Sequence, residues 1–159
     1  MPNAFLQLVN QPFKFKLFLL AKLPAAYFSG VRVKSAGENS CVVTVPYKWF
    51  SQNPFKSTYF ACLAMAAEMS TGLLAMMHTY KSNPPISMLV TGLRAEYFKK
   101  AIGITTFTCL DGVAIEQAIQ KSIQTGEGTS FEAKSSGFNE AGEAVADFYI
   151  TWSFKAKTK

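Results

Sequence analysis

The chain has 159 residues, with 16 Lys and Arg against 10 Asp and Glu, a net charge of +6, and 49% of its residues are hydrophobic. This length corresponds to one domain and is enough to bury a core without disulfides or metal ions. The apolar content and the lack of repeats exclude a disordered or fibrous chain. The positive charge favours an anionic partner, but the basic residues are too scattered to predict a nucleic-acid surface.

The chain in order begins with an N-terminal helical segment, residues 1–28, which the spacing of apolar residues predicts to be one helix or two short ones. Alternation from Val31 to Pro46 around turn residues predicts a β-hairpin. Residues 57–78 predict a long helix, with Ser57 or Thr58 as its N-cap. Residues 86–154 carry the main strand patterns, interrupted by a short helix over residues 112–124.

The long helix is apolar on every face, so other elements have to surround it. The remaining chain is mostly strand, and the sheet therefore has to curl around the helix. This combination predicts an α+β fold in which a curled antiparallel sheet wraps one long central helix. The apolar run from Phe60 to Met77 is long enough to span a membrane, but Glu68 lies in its middle. We therefore expect a buried helix of a soluble protein and no membrane insertion.

The cysteine and histidine content argues against several kinds of chemistry. Cys41, Cys62 and Cys109 form no CxxC pair and lie in apolar or alternating stretches, as reduced core cysteines do. The single histidine, His78, cannot build a zinc site, and no GxSxG, GxxxxGK[ST], GxGxxG or HExxH motif occurs. The N-terminal apolar run is too short for a secretion signal. We expect no metal, no cofactor and a cytoplasmic location.

The segment from Asn53-Pro54 through Ser57-Thr58 to Glu68 resembles the start of the central helix in hotdog-fold thioesterases. The resemblance extends over most of the chain and includes the closing residues Trp152-Ser153-Phe154-Lys155. It is strongest to the branch of that superfamily catalogued as a domain of unknown function, distantly similar to phenylacetic-acid-pathway (PaaI-like) and 4-hydroxybenzoyl-CoA thioesterases. The resemblance implies a single hotdog domain that acts on an acyl-CoA or acyl-carrier-protein thioester, with coenzyme A as part of the substrate.

The resemblance also implies site residues. In those thioesterases an Asn or Gln lies in the loop, a His-Gly-Gly-like turn opens the helix, and a carboxylate lies about two turns further on. Asn53 corresponds to the amide, and Glu68, 15 residues later, corresponds to the carboxylate. Tyr59, Phe60 and Ala61 replace the His-Gly-Gly turn, so the histidine is missing and the side chains are bulkier.

Glu68 is the only charge in the long helix, and an ionised carboxylate without a partner is costly there. Its helical neighbours include the small residues Ala61, Ala64, Thr71 and Gly72, which leave room for a substrate to approach the carboxylate. Two interpretations remain open at this point. These residues either line a site, or they allow close packing against a strand with Glu68 bonded to backbone.

Thioester hydrolysis needs a nucleophile or a base and donors for the oxyanion. Glu68 is the candidate nucleophile or base, and the backbone amides around Tyr59 and Phe60, at the positive end of the helix, are the candidate donors. Asn53 would orient the water or the thioester, although an Asn before Pro is also a common turn residue.

Arg94, Lys99 and Lys100 are candidates to bind the phosphates of coenzyme A, with solvated strand-end charges as the alternative. An open sheet edge and the resemblance together predict a homodimer, with a tetramer as the larger alternative. The missing His-Gly-Gly turn keeps a second function open, a non-catalytic module that binds acyl-CoA or lipid.

Overall fold

The computed structural model describes residues 3–157 as five α-helices and six strands. The N-terminal helices are α1 (Ala4–Val9), α2 (Pro12–Lys22) and α3 (Pro24–Phe28), and the long helix is α4 (Phe60–Thr79). The strands and the last helix are β1 (Arg32–Ala36), β2 (Cys41–Pro46), β3 (Ile86–Tyr97), β4 (Ile104–Cys109), α5 (Gly112–Thr125), β5 (Thr129–Phe138) and β6 (Ala144–Ala156).

The six strands form one antiparallel sheet in the order β1-β2-β4-β5-β6-β3. The predicted alternation of β6 is confirmed, because Phe148, Ile150 and Phe154 are fully buried against the helix. The sheet wraps α4 as the apolar composition of that helix predicted. The α+β class with a long central helix is therefore confirmed.

The long edge strand β3 leaves one side of its backbone without a neighbouring strand, whereas the opposite edge is the five-residue β1. A regular strand would keep its even-numbered residues on the concave face beyond Val90. A β-bulge between Val90 and Gly92 inserts one extra residue, so that odd-numbered residues follow on that face. Leu93, Ala95 and Tyr97 consequently lie opposite Ile150, Phe148 and Ala146 of β6.

Two sequence predictions for the helices are corrected. The N-terminal segment contains three helices, since Pro12 and Pro24 each occupy a first helical position and their missing N–H groups end the preceding hydrogen-bond pattern. The central helix begins at Phe60, and its N-cap is Tyr59 without a side-chain cap. Ser57 is unavailable for capping because its hydroxyl is bonded to Asn53.

Helix α4 has the length and apolar composition of a membrane span, but 67% of its most apolar stretch is buried inside the domain. Such enclosure by the protein's own sheet fits a soluble protein. The three cysteines are free and buried, and burial raises the pKa of both Cys41 and Cys109 to about 12. Both side chains therefore stay protonated thiols in the core.

Candidate active site

One stripe of α4 is not covered by the sheet. It consists of five exposed or half-buried residues, Phe60, Ala61, Ala64, Met65 and Glu68. Their spacings of three and four place them on one face of the helix. We call these five residues the uncovered stripe. They line a pocket of about 380 Å³ whose opposite wall is formed by Leu93, Tyr97 and Phe148. The face is apolar except at Glu68.

Glu68 lies at the inner end of the uncovered stripe. Within residues 3–157, no donor or cation lies within bonding distance of its carboxylate. Burial in this apolar pocket raises the pKa of Glu68 above its usual value, because the charged form loses solvation without gaining a partner. The alternative interpretation, in which the Glu68 carboxylate is hydrogen-bonded to backbone groups, is therefore not what the structure shows. Such an unpartnered carboxylate in a pocket is typical of a functional group.

A Glu68→Gln variant should be more stable than the wild type at neutral pH. Because the pKa of the folded carboxyl is raised, the stabilisation from proton binding is complete below the unfolded pKa and is lost as pH rises through the folded pKa. The amide of Gln does not ionise, so the free energy of unfolding of the variant lacks this pH-dependent loss. Thermal unfolding between about pH 4 and pH 8 should therefore show a Tm gain that grows with pH. A gain that is constant across this range contradicts the prediction, and a variant at the exposed Glu127 is the control.

Thr71 and Gly72 lie beneath the stripe, which corrects their expected role as substrate-contacting residues. Both are buried, and Trp152 Nε1 donates a 2.9 Å hydrogen bond to Thr71 Oγ1. Thr71 Oγ1 in turn donates to the backbone carbonyl of Glu68. A Cβ added at Gly72 would lie 3.1 Å from the Trp152 ring and 3.2 Å from Glu68 Oε1. These residues fix the helix turn that carries Glu68.

A second pocket of about 770 Å³ adjoins the first, and Phe60 and Tyr97 line both. Its other lining residues come from the loop before α4 and from the segment after β3. Those that bear on function are Asn53, Tyr59, Phe98, Lys99 and Lys100. The predicted loop, the helix start and two of the three predicted basic residues, Lys99 and Lys100, therefore meet in one cavity, while Glu68 lies in the neighbouring one.

The side chain of Asn53 is engaged within its own loop. Its Oδ1 accepts hydrogen bonds from the backbone amides of Phe55 at 2.9 Å and Ser57 at 3.2 Å, and its Nδ2 donates to the Ser57 hydroxyl at 3.1 Å. This is the turn role that the sequence left open for an Asn before Pro. The contacts shape the loop that leads into α4 and leave the side chain little capacity to orient a substrate.

An Asn53→Ala variant should lose about 1–3 kcal/mol of stability, because the Phe55 and Ser57 amides lose their acceptor. Asn53→Asp retains an acceptor oxygen and should recover most of this loss. Urea unfolding of the two variants measures the difference, with Asn39→Ala at an exposed turn position as the control. Equal losses in the Ala and Asp variants would show that the loop does not depend on these acceptor bonds.

The backbone amides at the start of α4 differ in availability. The Tyr59 N–H donates to the Ser51 carbonyl at 2.7 Å, which corrects the expectation that it faces a ligand. The N–H groups of Phe60 and Ala61 belong to the unpaired first turn and have no acceptor among the described residues. The N–H groups of Phe60 and Ala61 are therefore the ones free to donate to a bound anion or carbonyl at the positive end of α4.

Arg94 lies on the opposite face of the sheet from the pocket, so its predicted contact with phosphates would have to be made outside the pocket. The bulge in β3 turns it outward, where its guanidinium stacks 3.8 Å from the centre of the Tyr149 ring and pairs with Glu96 at 2.8 Å. Lys99 and Lys100 do line the larger pocket. Lys99 pairs with Glu143, while Lys100 donates to the Phe55 carbonyl at 3.2 Å.

Sequence reasoning missed much of the pocket wall. Leu93, Tyr97 and Phe148 complete the wall opposite the uncovered stripe, and Phe98 extends the larger pocket. Strict alternation continued from Val90 would place Leu93 and Tyr97 on the sheet face that points away from the helix. The extra residue of the bulge places both on the face that points toward it. The glycine at position 92, inside an otherwise regular strand pattern, is the available sequence indication of that bulge.

Comparison with known protein families gives one match for this chain. The model of the family described as a domain of unknown function, DUF4442, matches residues 14–154. The chain belongs to the DUF4442 family. No curated protein matches it in sequence.

Solved structures show the same fold at low sequence identity. A Pseudomonas aeruginosa protein described as a probable thioesterase has a TM-score of 0.77 at 18% identity, over 92% of this chain and 97% of that chain. A Chlorobaculum tepidum protein of unknown function has a TM-score of 0.79 at 18% identity, over 98% and 100%. The E. coli PaaI protein of the phenylacetic acid degradation operon has a TM-score of 0.64 at 13% identity, over 96% and 98%. This DUF4442 member therefore has the hotdog fold that the sequence predicted.

Proposed function

We propose that this protein hydrolyses the thioester of an acyl-CoA or an acyl carrier protein. The observation that carries the proposal is Glu68, an unpartnered carboxylate with a raised pKa in an otherwise apolar pocket. The fold is shared with proteins described as thioesterases, among them one from Haemophilus influenzae. A carboxylate of this kind is suited to act as a general base near neutral pH.

In the proposed reaction, ionised Glu68 removes a proton from water, and the oxygen of that water attacks the thioester carbonyl carbon. The resulting oxyanion is stabilised by the Phe60 and Ala61 amides at the positive end of α4. Collapse of this intermediate breaks the carbon–sulfur bond. The leaving thiolate takes the proton held by Glu68, so that the products are a carboxylic acid and a free thiol.

One chain by itself does not bring these groups together. Phe60 and Glu68 are eight residues apart on the same helix, which corresponds to about 12 Å along the axis. A base and an oxyanion donor acting on one carbonyl each have to lie about 3 Å from the reacting atoms. The proposed site therefore needs Glu68 from one copy of the chain and the helix start from another.

We propose an antiparallel homodimer that satisfies this requirement. If the uncovered stripes of two copies face each other across a twofold axis at Ala64, Glu68 of each copy lies beside Phe60 of the other. Ala64 lies halfway between these residues, and its small side chain allows two helices to approach closely. The free edge of β3 on the same side offers unpaired backbone groups to a second copy. A tetramer is the larger assembly that two such dimers could form.

The two pockets suggest how the substrate would lie. The larger pocket combines aromatic walls from Tyr59 and Phe60 with Lys99 and Lys100 at its rim. The lysines would contact the phosphates of coenzyme A or of a carrier-protein prosthetic group, since such anions favour ammonium donors. The apolar pocket around Met65 and Leu93 would hold the acyl chain.

A second function is favoured by one specific observation. Phe60 and Tyr59 are bulky and exposed where other thioesterases are expected to have a His-Gly-Gly turn, and their rings lie 5.0 Å apart at the pocket wall. Such side chains would hold an acyl group by burial without helping hydrolysis. The alternative is therefore a non-catalytic module that binds acyl-CoA or lipid.

Free-thiol release from short, long and aromatic acyl-CoAs separates the two functions. Hydrolysis by the wild-type protein supports the proposed thioesterase. Calorimetric binding of a non-hydrolysable acyl-CoA analogue without any turnover of the matching thioester supports the binding module instead. Neither turnover nor binding across the panel, including acyl carrier protein thioesters, contradicts both functions.

A further inference from the structure

The net charge of the protein lies entirely in its first 67 residues. This segment has seven Lys and Arg against one carboxylate, Glu38, whereas residues 68–159 contain nine of each sign. The first 37 residues contain no acidic side chain at all. The N-terminal helices contribute three of these seven cations, Lys14, Lys16 and Lys22, and no carboxylate, so their surface carries a positive potential that attracts anionic surfaces.

Helix α2 presents an apolar row to solvent in this cationic region. Phe15 and Leu19 are buried against the domain, whereas Phe13, Leu17 and Leu20 are 74%, 51% and 41% exposed. Spacings of four and three place these three residues on one outward face. We call them the outer row. Because α2 is apolar on both its inner and outer faces, packing against its own domain does not account for the outer row.

Lysines flank the outer row on both sides. At about 100° per residue, Lys14 and Lys16 lie on either side of the buried Phe15, and so each borders one side of the opposite, outward face. Both are exposed, and neither forms an ion pair with a described carboxylate. Long lysine side chains of this kind place their ammonium groups at the level of lipid phosphates while the apolar residues between them enter the acyl region.

Beside α2 lies a small concavity of about 250 Å³ that contains further cations. Lys16, Arg32 and Lys34 all line it, and its lining includes no carboxylate. Arg32 is held in place by hydrogen bonds from its guanidinium to the Tyr27 and Val31 carbonyls. The concavity lies between α2 and β1 on the domain-facing side of the helix, where the buried Phe15 and Leu19 also line it, so it adds positive charge beside α2 without being continuous with the outer row.

A second exposed apolar group follows α2 in the same cationic segment. Trp49 is 82% exposed, and its ring lies 6.2 Å from that of Phe50, which in turn lies 6.0 Å from Phe28. Tryptophan and phenylalanine are enriched at the boundary between lipid headgroups and acyl chains. Together with the outer row, these rings give the N-terminal segment much exposed apolar surface.

We propose that α2, through the outer row and its flanking lysines, docks the protein peripherally on an anionic phospholipid bilayer. The helix lies in the plane of the interface, and no segment crosses the membrane. Lipid is favoured over an acidic protein because the exposed apolar row lies on a single helix between two lysines, the arrangement of an interfacial amphipathic helix, and because Arg32 and Lys34 beside α2 add to the positive charge of this region. This proposal does not depend on the thioesterase function.

Flotation of the full chain with vesicles tests the proposal. We expect binding to phosphatidylcholine vesicles containing phosphatidylglycerol, weaker binding as salt is raised, and little binding to pure phosphatidylcholine. Replacing Lys14 and Lys16 together by Gln should weaken binding by about fivefold per lysine. Replacing Phe13 and Leu17 together by Ser should weaken it by about tenfold or more.

Matched controls change residues of similar exposure outside the N-terminal segment. Leu110→Ser removes a 73% exposed apolar side chain, and Lys121→Gln removes an exposed lysine on α5. Both should bind vesicles as the wild type does, and circular dichroism should show that all variants keep the fold.

Three outcomes overturn the proposal. The first is no binding to anionic vesicles, and the second is binding that the α2 variants leave unchanged. The third is a wild-type dimer that becomes a monomer when Phe13 and Leu17 are replaced, because a second copy would then cover the outer row. Loss of vesicle binding in both α2 variants with an unchanged oligomeric state supports it.

Discussion

Glu68→Gln is expected to lower kcat for thioester hydrolysis by about 10²- to 10⁴-fold, the usual effect of removing a general base. The amide keeps the size of the side chain but cannot accept the proton from water. In the wild type, kcat/KM should rise with pH through the raised pKa of Glu68, because only the ionised carboxylate is active. Rates of thiol release from the best substrate, measured across pH for both proteins, provide the comparison.

The exposed Glu127 on the surface is the control for this substitution, and Glu127→Gln should keep wild-type kcat and the same pH profile. Calorimetric affinity for a non-hydrolysable analogue should be nearly unchanged in Glu68→Gln if the carboxylate acts on the reaction rather than on binding. A Glu68→Gln variant that folds and turns over at the wild-type rate would remove Glu68 from the mechanism.

Ala64→Glu should convert a dimer into monomers and abolish hydrolysis at the same time. In the proposed dimer the twofold axis passes Ala64, so the substitution would bring two carboxylates together between the helices. An unpaired buried charge costs about 3–5 kcal/mol, which weakens the dimer by more than about a hundredfold. Analytical ultracentrifugation at micromolar concentration should give twice the 17.5 kDa chain mass for the wild type and a single chain mass for the variant.

Ala114→Glu on α5 is the matched control, since Ala114 is likewise a half-buried helical alanine. It should remain dimeric and active. A wild-type monomer that nevertheless hydrolyses thioesters would contradict the shared site, and so would an Ala64→Glu dimer with full activity. Because no residue of α2 lines either pocket at the uncovered stripe, the proposed vesicle binding is separate from the dimer contact, and monomeric Ala64→Glu should still bind anionic vesicles.

The fold was predictable where local pattern and tertiary packing agree. An apolar helix without a polar face requires a sheet around it, and the strict alternation from Ala144 to Phe154 identifies the strand that packs beneath it. The helix start was less predictable. Ser57 has the right chemistry for an N-cap, but Asn53 forms hydrogen bonds with it, and the helix begins only at Phe60.

The candidate site was predictable in its chemistry but not in its shape. Glu68 was a candidate because the resemblance to hotdog thioesterases places a carboxylate at this position and because a single unpartnered charge within an apolar helix is costly. The side of the sheet on which Arg94 lies was not predictable, because one inserted residue after Val90 reverses which side chains of β3 face the helix. Thr71 and Gly72 are near Glu68 in sequence, yet the Trp152 ring covers them.

The sequence by itself determined the class of fold, the long enclosed helix and the carboxylate within it, because composition and periodicity act along the chain and need no knowledge of distant contacts. Only the tertiary structure decided that the sheet leaves the stripe from Phe60 to Glu68 uncovered, and that Leu93 and Tyr97 face it. It also decided that the outer row of α2 points to solvent. These outcomes depend on sheet curvature, a bulge and helix docking, which arise from contacts between residues far apart in the chain.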